Sequence, residues 1–212
     1  MTAPLPELVP LFPLPGTALF PGMPLPLHVF EPRYRSMVED ALAGARVIGM
    51  VLLRPGWEDR YLGRPEVYPV GCAGHLQACE ALPDGRFNIV LSGLARFRIL
   101  EERHDRPYRL ARVAELPEDP ARADELKAAR AALVEDVARV ADVSGVAVAQ
   151  PELPDDVFVN ALCQSLPLDP LELQSLLDCS GPLERCRRLR GLIEFRLLER
   201  AAYGREGSDV RH

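Results

Sequence analysis

Leu116-Pro117-Glu118-Asp119-Pro120 is where the chain changes its periodicity. Upstream, apolar residues alternate or run together in short stretches closed by Pro and Gly, which is the pattern of strands. Downstream they recur every three or four positions, which is the pattern of amphipathic helices. The expected fold is therefore α+β: a β-rich part over residues 1–117, then a helical part over 118–204 and a polar tail over 205–212.

Immediately upstream, Tyr108 to Leu116 is the last strand candidate, preceded by two alternating stretches, Leu94 to Glu101 and Phe87 to Ser92. Pro83-Asp84-Gly85 sits between apolar runs as a hairpin turn, because Pro presets φ and Gly accepts positive φ. Val67 to Leu82 reads as a long strand bent at Gly71 or Gly74. Val47-Ile48-Gly49-Met50-Val51-Leu52-Leu53 lacks alternation, so it predicts a strand buried on both faces. Pro32 opens a short helix with Tyr34, Met37, Val38, Ala41 and Leu42 on one face, and Gly44 is placed to end it. Leu25 to Phe30 predicts a strand, and Leu8 to Leu14, with Pro10 and Pro13, predicts an edge strand.

Downstream, Leu126, Ala129, Leu133, Val137 and Val140 share a face of a helix predicted over about 121–142. A second helix is predicted over about 155–165. A third begins at Asp169-Pro170-Leu171-Glu172, with a capping Asp, Pro in the first turn and Glu three residues after the cap. A last helix over about 183–203 carries the stripe Leu183, Cys186, Leu189, Ile193 and Leu197. Grouped together, these four read as a C-terminal four-helix bundle.

The net charge of −6 is unevenly placed. Residues 1–116 hold 13 acidic and 13 basic side chains, whereas residues 117–212 hold 18 and 12. Neither part has the basic surplus of a nucleic-acid binder, so nucleic acid is not an expected partner. Five cysteines with no CxxC pair and no signal peptide point to reduced thiols in the cytoplasm. Nine prolines within the first 32 residues rule out a signal-peptide pattern there, and no apolar run approaches the roughly 20 residues of a membrane span.

Catalytic and metal signatures are absent from the sequence. His28, His75 and His104 have no i, i+4 partner, and Cys72 with His75 makes at most half a metal site. Asp155-Asp156 and Glu101-Glu102 are neighbours whose side chains diverge, and no GxSxG or GxGxxG occurs. No catalytic residue, cofactor or metal is assigned. Two candidate binding clusters remain. Trp57, Tyr61 and Tyr68 lie among Arg54, Arg60 and Arg64 in a loop over 54–68, and Trp, Tyr and Arg dominate binding hot spots. Arg33, Tyr34 and Arg35 open the first helix, where Tyr34 can equally serve to anchor that helix on the sheet.

Leu11-Phe12-Pro13-Leu14-Pro15-Gly16, Leu19-Phe20-Pro21-Gly22, His28-Val29-Phe30-Glu31-Pro32-Arg33-Tyr34-Arg35, Val70-Gly71-Cys72-Ala73-Gly74 and Leu91-Ser92-Gly93-Leu94-Ala95-Arg96-Phe97 occur in this order. Together they resemble the amino-terminal substrate-binding domain of Lon proteases, in its short stand-alone form, over roughly residues 8–200. The resemblance implies a twisted, barrel-like, PUA-like sheet with one helix, followed by a helical bundle. It implies a non-catalytic module or adaptor that binds unfolded or tagged polypeptide, with a separate ATP-dependent protease as a further partner. The ATPase and Ser-Lys protease of full Lon do not carry over: the sequence has no Gly-Lys pair, and its single lysine, Lys127, sits among Asp124 and Glu125 on a helix. The alternatives are RNA binding, which some PUA-like sheets perform, and a hydrolytic or small-molecule site hidden in the barrel.

Overall fold

A computed structural model describes residues 4–60, 63–120, 122–144 and 152–206. The chain forms two compact units: Met1–Glu118 with Pro167–Asp178, and Asp119–Leu166 with Cys179–His212.

The first unit holds strands β1 (Leu8–Leu14), β2 (Pro24–Val29), β3 (Val47–Leu52), β4 (Val70–Ala81), β5 (Phe87–Arg103) and β6 (Arg109–Leu116). β1 pairs in parallel with β3 and antiparallel with β6. β3–β4, β4–β5 and β5–β6 are antiparallel, so five strands close into a ring. β2 extends the sheet from the first half of β5 and leaves one edge open. Its Pro24 and Pro26 lack N–H donors, which suits an edge position.

Two strand expectations change. β1 is a ring strand rather than an edge. Its prolines are tolerated because Pro10 pairs only with Leu110 of β6 and Pro13 only with Val51 of β3. Each lies where β1 has a neighbour on one side, so no two-sided ladder is broken. The stretches 87–92 and 94–101 are one long strand, whose register shifts opposite β4 and β6 let it bend from one pairing to the next.

β3 is buried along its whole length, as its unbroken apolar run predicts. Phe97 fills the ring interior with Val9, Leu11, Val47, Val51, Ala73 and Ala111. Gly49 and Gly71 face that ring: a Cβ on either would lie 3.0 Å or less from Phe97 Cζ. Small residues there let the aromatic core close.

Helix α1 (Pro32–Ala43) starts with Pro in its first turn and buries Tyr34, Met37, Val38 and Ala41. Gly44 follows the helix, but the positive φ falls on Arg46 (58°), whose guanidinium donates to the carbonyl of Leu76 at 3.1 Å. The hairpin turn after β4 forms with Gly85 at φ 79°.

Helix α4 (Pro170–Leu177) corrects both helix groupings. Its capping box forms as predicted, with Asp169 accepting from the Glu172 N–H at 2.9 Å and Glu172 accepting from the Asp169 N–H at 2.8 Å. It packs on β4, however, and belongs to the sheet unit. Gln174 donates to the Val70 carbonyl at 3.2 Å, and buried Arg96 donates to the Leu177 carbonyl at 2.9 Å. The sheet unit thus carries two helices, and three remain in the second unit.

Those three are α2 (Ala123–Ser144), α3 (Asp155–Ser165) and α5 (Pro182–Glu206). Leu126, Leu133 and Val137 of α2, Phe158 and Leu162 of α3, and Cys186, Leu189 and Ile193 of α5 are buried. No described helix is long and apolar enough to cross a membrane.

Candidate functional site

The sheet unit has a cleft of about 230 Å³ beside the start of α1. Its lining comes from four places: Pro13 in β1, Arg33 and Tyr34 of α1, Leu53 with Gly63, Arg64 and Pro65 after β3, and Pro107 to Arg109 leading into β6.

Tyr34 is buried and its ring meets Phe12 at 4.4 Å between centroids, so it holds α1 on the sheet. The Arg33 guanidinium lies 4.6 Å over the Tyr34 ring and pairs with Glu31 at 3.0 Å. Cation–π and ion-pair contacts together orient Arg33 along the wall. Opposite, buried Arg109 donates to Glu102 at 2.9 Å and also to the Pro65 carbonyl, tying the loop after β3 to β6. Arg64 stands exposed at the rim, its Nη2 3.5 Å from the Arg106 carbonyl. Tyr108 donates to Asp40 at 2.6 Å. Burial first, then the Asp40 hydrogen bond and charge, push its phenol up to about 12.

The structure thus brings Arg33 and Tyr34 together with Arg64. Arg35 goes elsewhere: its Nε is buried without a hydrogen-bond partner among the described residues, and the guanidinium lies under Gly85 of the β4–β5 hairpin. Trp57 is half-buried beyond Gly56, and Tyr68 lies under the Arg54 guanidinium at 5.3 Å. Neither lines the cleft. Tyr61 lies outside the described residues. Sequence reasoning missed Pro107, Tyr108 and Arg109, which lie at and just before the start of β6, far along the chain. For Arg109, an arginine inside an apolar strand candidate was the available signal.

A second, shallower concavity of about 500 Å³ covers the outer face of β2, β5 and β4. A polar row crosses it: His28 Nδ1 to Asn88 Oδ1 at 2.8 Å, then Asn88 Nδ2 to Glu80 at 2.9 Å. Arg86 Nη1 lies 3.3 Å from His28 Nε2. Guanidinium can only donate, so Nε2 accepts and the proton sits on Nδ1. His28 is spent on cross-strand pairing. Among the described residues, no three His, Cys, Asp or Glu side chains converge as metal ligands. Cys72, Cys163, Cys179 and Cys186 are buried free thiols, and Cys79 is partly exposed.

A strand ring with an added edge strand is the fold this chain shares with Lon N-terminal domains. The chain belongs to the ATP-dependent protease La (LON) substrate-binding domain family, which matches residues 8–194. Among solved structures it is similar to the Lon N-terminal domain protein of Xanthomonas campestris, with 26% identity, TM-score 0.63, and coverage of 86% of this chain and 96% of that one. The N-terminal domain of Mycobacterium avium complex Lon protease shares the fold at 19% identity, TM-score 0.67, covering 89% of this chain and 98% of that one. Lon protease of Flavobacterium johnsoniae is 27% identical over 193 residues, which is 85% of this chain and 23% of that protein. Lon protease of Syntrophus aciditrophicus is 34% identical over 118 residues, 54% of this chain and 15% of that protein. The chain therefore spans a quarter or less of these Lon proteases.

Proposed function

We propose that this chain is a non-catalytic recognition module that binds unfolded or tagged polypeptide segments and presents them to a separate ATP-dependent protease in the cytoplasm. The observation that carries the reading is the family match across residues 8–194. The cleft beside α1 supports it, because it combines apolar walls with oriented arginines, a composition suited to binding peptide. Arg33 and Tyr34 form its wall; Trp57, Tyr61 and Tyr68 are proposed as further contacts, whereas Arg35, held under the β4–β5 hairpin, is not.

Titration of the chain with fluorescent, unfolded, degron-like peptides should give saturable association at micromolar concentration. Failure to bind any of a broad panel would remove the proposal. Incubation with casein, with and without ATP, should release no fragments.

A further inference from the structure

We infer that the cleft beside α1 receives a carboxylate carried on an apolar stretch of polypeptide, and that Arg64 meets the charge. This deepens the polypeptide-binding reading and rests on it. Two of the three arginines lining the cleft are already answered: Arg33 by Glu31 at 3.0 Å and Arg109 by Glu102 at 2.9 Å. Arg64 has no carboxylate within ion-pair distance among the described residues, and its hydrogen bond to the Arg106 carbonyl is long at 3.5 Å.

Three arginines against two glutamates leave one positive charge. That balance suits a singly charged carboxylate better than a phosphate dianion. Guanidinium donors match a carboxylate in bidentate geometry. Between the charges, Pro13, Leu53, the Tyr34 ring and Pro107 supply the apolar part of a mixed lining. The volume of about 230 Å³ lies below the roughly 300–1,000 Å³ of sites that enclose a whole small ligand. It suits one side chain, or one chain end, of a longer polypeptide. The Tyr108 hydroxyl is committed to Asp40, which leaves Arg64 as the group that meets the ligand.

The carboxylate has two sources, a free chain terminus or an Asp or Glu side chain. Fluorescence anisotropy with the full chain separates them, using one labelled apolar decapeptide in four forms: free C-terminus, C-terminal amide, amide with one internal Asp, and amide with Asn at that position. At least one carboxylate form should bind about ten-fold tighter than its neutral counterpart. Arg64→Gln should abolish that difference, Arg64→Lys should restore part of it, and Arg112→Gln, outside the cleft, should leave it in place. Preference for the free terminus assigns the site to chain ends, and preference for Asp assigns it to internal acids. Equal binding of all four forms, or a preference that survives Arg64→Gln, overturns the inference while polypeptide binding stands. No binding of any form defeats both.

Discussion

The sheet unit and the helical unit handle buried charge differently. In the sheet unit, Arg96 and Arg109 run from the interior to backbone carbonyls: Arg96 to Leu177 and Pro117, Arg109 to Pro65. Each also holds a glutamate, Glu118 at 2.5 Å and Glu102 at 2.9 Å. In the helical unit, fully buried Arg185 donates to Asn160 at 2.6 Å, and buried Asp136 accepts from Arg190 at 2.7 Å. Helix interiors satisfy their own carbonyls, and the anchors between α3 and α5 and between α2 and α5 join side chain to side chain. Helix ends such as Leu177 and loops such as Pro65 and Pro117 leave carbonyls over, and arginine collects them. Arg130 fits the same rule, because the carbonyl it reaches, that of Leu153, precedes α3.

Breaking each unit at its own anchor should expose the contrast. Phe97→Ala should have the largest effect, about 4 kcal/mol, because it empties the ring interior. Urea unfolding measures the loss, and hydrogen exchange should localise it to the strands. Asn160→Ala should cost about 2–3 kcal/mol, because it takes an acceptor from a buried cation, with exchange rising in α2, α3 and α5. Arg185→Met, which removes the charge along with its need, should cost less than Asn160→Ala; the reverse order would show that packing rather than charge governs that site. Asp169→Ala should cost about 1 kcal/mol through the lost capping box, and its exchange signature should appear with the sheet because α4 packs there.

The smallest effect is nil at neutral pH and grows with alkali. The fold favours the neutral Tyr108 phenol, whose value rises from 10.0 to about 12. The stability it contributes is complete below pH 10 and is lost as pH climbs toward 12. Burial likewise raises the thiols of Cys163, Cys179 and Cys186 above 9.0, so the helical unit should begin to weaken near pH 9, before Tyr108 acts on the sheet unit. Urea midpoints taken from pH 8 to 11.5 should fall less steeply above pH 10 in Tyr108→Phe. An unchanged slope would assign the alkaline loss to the thiols.

Much of the local structure was legible in the sequence. The α4 capping box, the Gly85 turn, the Pro32 helix start and the buried run of β3 are each written within a few residues. The cleft was only partly legible. Arg33 and Tyr34 stood out as a cluster, but Arg109 and Tyr108 carry no local mark, and Arg35 could not be separated from Arg33 until the hairpin took its place over it. Trp57 and Tyr68 drew notice by residue type, which says nothing about where a loop folds.

Sequence by itself determined which stretches are strand or helix, where they start and turn, and the family the chain belongs to. Dihedral preference, capping and hydrophobic period all act across a few residues, so they are readable in order along the chain. Tertiary structure alone decided that β1 closes a ring between β3 and β6, that α4 serves the sheet, and that Arg64 faces the cleft. Those outcomes depend on which distant apolar faces bury one another, and an amphipathic stripe states that a face is buried without naming its partner.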